Sequence, residues 1–428
     1  MNSALDDSHY KKHVTDTGET REIVVCRDIY SYGGIKLLSV GARINRAMYE
    51  RIVNHKLHPQ LEDSLVVSNA VSTAILLEQA RMLFAKLPLL ASMQKALKPS
   101  QSILKIIEQI PLNNQLAFKL TIAQERMPEL FEHGIESALF CAFLGFKADL
   151  DYTQLVQLAT AGLFHDLGEL HIDPALMDRK RILTADERKH FYVHPLTMYI
   201  LLKEYREYFP AVSNAVLEHH ERLDGSGYPR GLSQHELGRL GRLLAVAELA
   251  ASLYRGGENT ELRRIETTLK INMRHQLDAD AVSYMLEVVG DAEATEKQRK
   301  VNVDQLRITL QHMADFFADW NARFLPQLDA HRDNEALMFL SVHIFMFRHV
   351  LEDAGFNSQA VGQLTEVLDD DSAEAIELES LYQEFVWKMH DMVKELSRRW
   401  PALDFPSSDA GNELVRDWMR HAQELISA

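Results

Sequence analysis

Between Gly162 and Pro229 the chain sets histidines and carboxylates into sequence that is otherwise apolar and helical. The apolar run Ala159 to Phe164 leads directly into His165 and Asp166. His194-Pro195 follows, then His219-His220, then Asp224-Gly225-Ser226-Gly227-Tyr228-Pro229. His165, Asp166, His194, His219 and His220 fall within 56 positions. In apolar surroundings an imidazole or carboxylate must be neutral, paired or metal-bound. A metal centre accounts for all five with one cause.

Taken singly, each feature also has a structural explanation. His165-Asp166 could be a helix-end histidine with a capping aspartate. Adjacent helical residues point about 100° apart, so one could equally ligate an ion while the carboxylate bridges to a second. Two neighbouring histidines in the apolar helix around Val212, Ala215, Val216 and Leu217 cannot both face one ion comfortably, and they suit a centre with more than one. His194 sits at the mouth of a helix expected over 196–207, where Pro195 is favourable in the first turn. Glu129 and His133 are four apart on one helical face, as a chelating pair or an exposed hydrogen bond. Glu248 is the one charge in Leu243 to Ala251, as a ligand or half of a buried salt bridge. Together the coincidences outweigh the separate explanations. Imidazole and oxygen donors without thiolate suit manganese, iron, nickel or zinc in hydrolytic use.

The bulk properties narrow the partners. A formal charge of −16 argues against nucleic acid or an anionic membrane surface as main partner. A small anionic substrate stays compatible, because bound ions invert the field within one pocket. Cys26 and Cys141 are the only cysteines, which gives no disulfide framework and fits a reducing cytoplasm. The polar N-terminus does not read as a signal peptide. The longest apolar run, Leu337 to Phe347, is too short to span a bilayer. The expectation is a cytoplasmic, soluble chain.

Read in order, residues 1–20 form a flexible lead-in. Ile23 to Val25 and Ile35 to Val40 are β-type runs around Gly33-Gly34, expected as a hairpin or small β-cap. Helical periodicity takes over from Ser68, with breaks at Pro88 and Pro128. A region of small β plus helices thus spans 21–114, and a central block carrying the chemistry spans 115–292. Gly256 to Asn259 marks a loop near its end. Residues 293–428 read as a C-terminal helical bundle, regulatory or oligomeric, with Asp369-Asp370-Asp371-Ser372 as an acidic helix cap. The fold class is mostly α, with a helical-bundle core, a small N-terminal β element and the C-terminal bundle.

Residues 129–285 resemble the HD-GYP branch of the HD phosphohydrolases, the branch associated with hydrolysis of cyclic di-GMP. The resemblance rests on Glu129 and His133, His165-Asp166-Leu167-Gly168, His194-Pro195, His219-His220-Glu221, and Asp224 through Leu232 with its Gly227-Tyr228-Pro229 core. It implies an HD-type core in which His133, His165, Asp166, His194, His219 and His220 bind metal. Asp166, with His165, would be catalytic, bridging two ions and helping to hold the attacking water. Glu129 matches the extra carboxylate of the three-metal members, so two or three divalent ions are implied, iron or manganese foremost. Asp224, Gly227, Tyr228 and Pro229 would shape the substrate loop. Two positions depart from the pattern. Glu248 stands where the family has Asp, and Glu169 stands where it has a phosphate-contacting Lys.

The resemblance implies a metal-dependent cyclic di-GMP phosphodiesterase, giving linear pGpG or GMP in second-messenger signalling. The alternative is a degenerate member that binds metal or nucleotide as a signalling or interaction module, through a homodimer or partner on its terminal regions. A third reading is an HD phosphohydrolase acting on another nucleotide.

Overall fold

The computed structural model describes residues 7–177, 185–254, 262–273, 275–293, 301–353, 356 and 373–427. Helices carry most of this length, and the strands are five short segments between Ile23 and Val67. The chain divides into two compact units. The first comprises Met1–Leu183, Lys189–Thr260 and His275–Val288; the second comprises Thr184–Arg188, Glu261–Arg274 and Val289–Ala428.

The first unit opens with a correction. The segment expected to be a flexible lead-in contains the helix Ser8–Thr17, with Tyr10 and Val14 buried. The β-cap is present, but its pairing is not the expected hairpin. Ile23–Val25 pairs antiparallel with Leu65–Val67, while Ile29–Ser31 lies between Lys36–Leu38 and Leu57–His58 in a separate sheet. Gly34, at φ 85°, makes the turn between the strands of that second sheet.

Five helices build the core that carries the chemistry: Pro128–Lys147, Tyr152–Phe164, His194–Leu202, Ala211–Glu218 and Arg239–Tyr254. The Asn114–Arg126 helix packs alongside, N-capped by Asn113, whose Oδ1 accepts from the Leu116 N–H at 2.9 Å. It stops where Pro128 begins the next helix. Asp151 caps Tyr152–Phe164 in the same way, through the Gln154 N–H at 2.9 Å. The helix at His194 ends at Leu202 rather than at 207. Within this core Phe140, Phe143, Leu158, Phe164, Leu244 and Val246 are closed to solvent, and this packing fixes where the helix ends fall.

The second unit has its own core. Val303–Asp319, Glu335–Asp353, Ala373–Arg399 and Ala410–Ser427 surround Phe316, Phe317, Phe385, Met389 and Trp418. Phe316 meets Phe385 edge-on at 5.4 Å and Trp418 at 6.0 Å. Leu262–Met273, expected within the 115–292 block, clusters with this unit. There the buried Glu384 accepts from Thr268 Oγ1 at 2.7 Å and from Asn272 Nδ2 at 3.4 Å. The Gly256–Asn259 loop and the Asp369–Ser372 cap lie outside the described residues. Among the described residues no helix is long and apolar enough to cross a membrane.

Candidate metal centre

Two helices end at this centre. His165 is the first residue beyond Tyr152–Phe164, and His219 the first beyond Ala211–Glu218. The doublet therefore stands at a helix C-terminus and not within the helix. Each ring turns back on its own last turn. His165 Nδ1 donates to the Gly162 carbonyl at 2.9 Å, and His219 Nδ1 to the Val216 carbonyl at 2.6 Å. His194 does the same through Phe191 O at 2.9 Å. A neutral histidine that donates from Nδ1 presents an Nε2 lone pair, the tautomer a metal ligand needs. His165, which Asp166 favours in its charged form, must give up its Nε2 proton to ligate.

All these Nε2 atoms converge on Asp166. His133 and His165 face Oδ2 at 3.7 and 3.2 Å, and His194 and His219 face Oδ1 at 3.4 and 3.3 Å. Each carboxylate oxygen thus has a pair of imidazoles in front of it. Two overlapping groups result: His133, His165 and Asp166; and Asp166, His194, His219 and His220, with candidate donor atoms within 4.8 Å of one another in each. His165 Nε2 and Asp166 Oδ1 are closed off from solvent without a satisfied hydrogen bond. Buried polar atoms in that condition are costly unless something further binds them. The donor set fits divalent first-row transition ions, with one carboxylate shared by two sites.

The electrostatics follow from the same crowding. Burial alone would raise Asp166, but the imidazoles of His165, His194 and His219 hold it well below the usual carboxylate range. Burial opposes a charged His165, yet Asp166 beside it lifts that ring to about 9. His194 is raised against its burial by the same carboxylate, with Glu169 adding to the effect. Burial pushes His219 down to about 4, which leaves that ring neutral at pH 7, and holds His220 well below its ordinary value. Neutral imidazole is the ligating form.

The turn Leu167–His171 carries the backbone away from Asp166 as a short 3₁₀ helix. A Cβ on Gly168 would stand 2.2 Å from the His194 carbonyl oxygen, so only glycine lets this turn lie against the His194 helix. That contact keeps Asp166 and His194 together. Glu169, on the same turn, is half-buried and lies within electrostatic reach of His194.

The remaining sequence candidates divide. Glu248 is 8% exposed, makes no hydrogen bond or ion pair among the described residues, and lies within electrostatic range of Asp166, Arg222, His165 and His194. Burial first, and Asp166 second, raise its carboxyl above the ordinary value. The salt bridge that offered a structural explanation is absent there. Glu129, in the first turn of Pro128–Lys147, is exposed and is not gathered into either group. Its helix places it one turn from His133, on the rim rather than at the centre.

Tyr228 lies over the doublet. Its ring stacks on His220 at 4.6 Å and 28°, and its N–H donates to the His220 carbonyl at 3.1 Å. Tyr192 packs against Tyr228 at 4.2 Å. Gly227 is forced: a Cβ there would meet the His220 carbonyl and the Arg222 nitrogen at 2.4 Å. The carboxylate of Asp224 is engaged within the loop, accepting from Ser226 N at 2.9 Å, Ser226 Oγ at 2.6 Å and Gln276 Nε2 at 3.1 Å. Glu221, read from the sequence only as part of the doublet motif, is the loop's main anchor. Its Oε1 accepts from Arg230 N at 2.7 Å and its Oε2 from Leu232 N at 2.9 Å. A buried acid immediately after the doublet was the available signal for it.

A helical core with paired imidazoles around one Asp makes a candidate metal site of HD type. Residues 79–271 match the family model described as HD domain. With the Gly-Tyr-Pro loop closing over the histidine doublet, these residues are similar to the HD-GYP branch of that family. It is 29% identical over 119 residues to a cyclic di-GMP phosphodiesterase of Pseudomonas aeruginosa, covering 28% of this chain and 29% of that one. It is 29% identical over 153 residues to 3'3'-cGAMP-specific phosphodiesterase 1 of Vibrio cholerae, covering 34% of each. A cyclic di-GMP phosphodiesterase response regulator of Xanthomonas campestris is 36% identical over 94 residues, 22% of this chain and 25% of that one. The chain spans a quarter to a third of the length of these relatives.

Proposed function

We propose that the chain is a metal-dependent phosphodiesterase that opens cyclic di-GMP, acting in the cytoplasm. The observation that carries this reading is the pairing of His133 with His165 on one oxygen of Asp166 and of His194 with His219 on the other. A carboxylate so placed can bridge two ions, and His220 completes the second group. Two ions, or three if Glu129 swings inward, are the expected complement, with iron or manganese as the preferred metals. Divalent ions held there would supply Lewis-acid polarisation of the phosphodiester and acidify the attacking water. The chain's own part is to fix four imidazoles by backbone and carboxylate contacts, and to cover His220 with Tyr228. In the reaction water adds to one phosphorus, the P–O ester bond to the 3′ oxygen breaks, and the leaving oxygen takes a proton. Residues 293–428 are assigned a regulatory or dimerising role outside this chemistry.

The test is product formation from cyclic di-GMP and, separately, 3'3'-cGAMP by metal-loaded protein, resolved by chromatography. Linear dinucleotide or GMP from cyclic di-GMP supports the reading. Turnover of 3'3'-cGAMP alone would move the substrate, and no turnover of either would favour the degenerate signalling module.

Glu169 is the observation behind that second reading. A carboxylate near His194 repels an incoming phosphodiester, with like charges at about 4–6 Å disfavouring binding. Glu169→Lys is expected to raise kcat/KM on cyclic di-GMP by about tenfold, or ~1.4 kcal/mol. Loss of both metal and activity in this variant would show that Glu169 recruits an ion. No change in either would show that it points away from the site.

Glu248 is proposed as a ligand. Glu248→Gln is expected to lower metal content per chain in elemental analysis, because the amide is a poorer donor to a hard cation. Intact occupancy with only a lower melting temperature would remove it from the ligand set.

A further inference from the structure

At the end of the Leu167–His171 turn opposite Asp166, the N-terminal helix closes a buried polar cluster. Tyr10 stacks on the His171 ring at 4.7 Å and 20° between planes. The Lys119 ammonium sits 3.7 Å from the centre of the Tyr10 ring and 3.4 Å from His171 Nε2. His171 Nδ1 meets Asp7 Oδ1 at 3.1 Å, and Lys119 forms an ion pair with Glu62. Tyr10 and Lys119 are each 2% exposed.

This arrangement is an expensive way to hold a helix. Desolvating a Lys–Glu pair offsets most of its attraction, and apolar side chains of the same volume would stabilise as well or better. What the polar cluster supplies is direction. His171 is fixed through both ring nitrogens and one ring face, by Asp7 and Tyr10 of the N-terminal segment and by Lys119 of the Asn114–Arg126 helix. It is also the last residue of a five-residue 3₁₀ turn that starts immediately after Asp166. Such a turn rises about 2 Å per residue and has little slack, so fixing one end constrains the other. The turn's Gly168 is at the same time pressed against His194.

We propose that Tyr10 is a positioning residue for the metal centre: stacked on His171 beside Lys119, it sets the turn that aims Asp166 and Glu169. The N-terminal segment then acts on the site through His171, and a displacement of the Ser8–Thr17 helix would be felt at Asp166. The proposal goes beyond the phosphodiesterase reading and rests on it only in taking Asp166 as a metal ligand.

The experiment loads the full-length chain with cobalt(II). It reads affinity by competition with a chromophoric chelator, and coordination by the visible d–d spectrum. Tyr10→Ala, still folded by circular dichroism, is expected to bind cobalt about tenfold more weakly, the lower end of what losing a partner behind the ligands costs, and with an altered d–d band. Tyr10→Phe keeps the stacked ring and should match wild type in both. Asp7→Ala, at a side chain 44% exposed, should show a smaller shift in the same direction. Wild-type affinity and spectrum in a folded Tyr10→Ala protein would overturn the proposal, leaving the cluster a purely structural contact. Should Tyr10→Ala fail to fold, Asp7→Ala decides: weaker cobalt binding supports positioning, and unchanged binding overturns it. A wild-type chain that takes up no cobalt would overturn the metal reading itself, a result distinct from either.

Discussion

Asp166→Ala should strip the protein of most of its transition metal and abolish turnover. Protein purified without exposure to chelator is expected to carry at least two ions per chain, and the variant at most a residual fraction. The reason is geometric. One carboxylate faces His133 and His165 with one oxygen, and His194 and His219 with the other, at 3.2 to 3.7 Å. Removing a terminal ligand would weaken one site, whereas removing this residue takes a ligand from both. The four imidazoles would remain, three of them held by their own backbone contacts, but without the negative charge that offsets two divalent cations in a buried space. Asp166→Asn separates the contributions, since it keeps the shape and loses the charge. It should retain more metal than Asp166→Ala and less than wild type. Plasma mass spectrometry of the three proteins is the measurement. Full occupancy in Asp166→Ala would refute a shared bridging ligand.

The candidate metal centre was legible in the sequence because its chemistry is local in type, even though it is distant in position. His165-Asp166 and His219-His220 stand out since nothing else in their apolar runs can neutralise them. Their convergence on one carboxylate requires only that two helices end at the same place. Other parts depended on contacts that no local pattern carries. The Ser8–Thr17 helix has few apolar residues, and polar contacts from Lys119 and His171, more than a hundred positions away, help to hold it. Ile23–Val25 was readable as a strand, but its partner Leu65–Val67 lies about forty residues on, and three-residue strands say little about register. The i, i+4 spacing of Glu129 and His133 places them on one helical face. It cannot say that the helix begins at the surface, which leaves Glu129 exposed and His133 buried. Asp224 matched a loop signature, yet its oxygens accept from Ser226 and Gln276. Motif position identified the loop without saying which acid faces outward and which ties the backbone.

Glu221 is that tie, and its removal should separate metal binding from turnover. The carboxylate is 1% exposed and accepts one backbone N–H on each oxygen, from Arg230 and Leu232. Gly227, Tyr228 and Pro229 lie between these two anchor points and the doublet, so the carboxylate closes the loop that lays Tyr228 over His220. Glu221→Ala leaves two amide groups without their charged acceptor. Hydrogen bonds of that kind contribute about 1.5–3 kcal/mol each, and relaxation toward water recovers part of the loss, so a net cost of about 3 kcal/mol is expected. Glu221→Gln should cost roughly half as much, because the amide keeps one acceptor and turns a donor toward the second N–H. His219 and His220 stand at the end of the Ala211–Glu218 helix, and His219 is held by the Val216 carbonyl, not by the loop. Metal content should therefore stay near wild type in Glu221→Gln while kcat/KM on cyclic di-GMP falls as Tyr228 loses its place. Parallel loss of metal and activity would mean that the loop supports the ligands themselves. Unchanged kinetics with lowered stability would mean that Tyr228 takes no part in turnover.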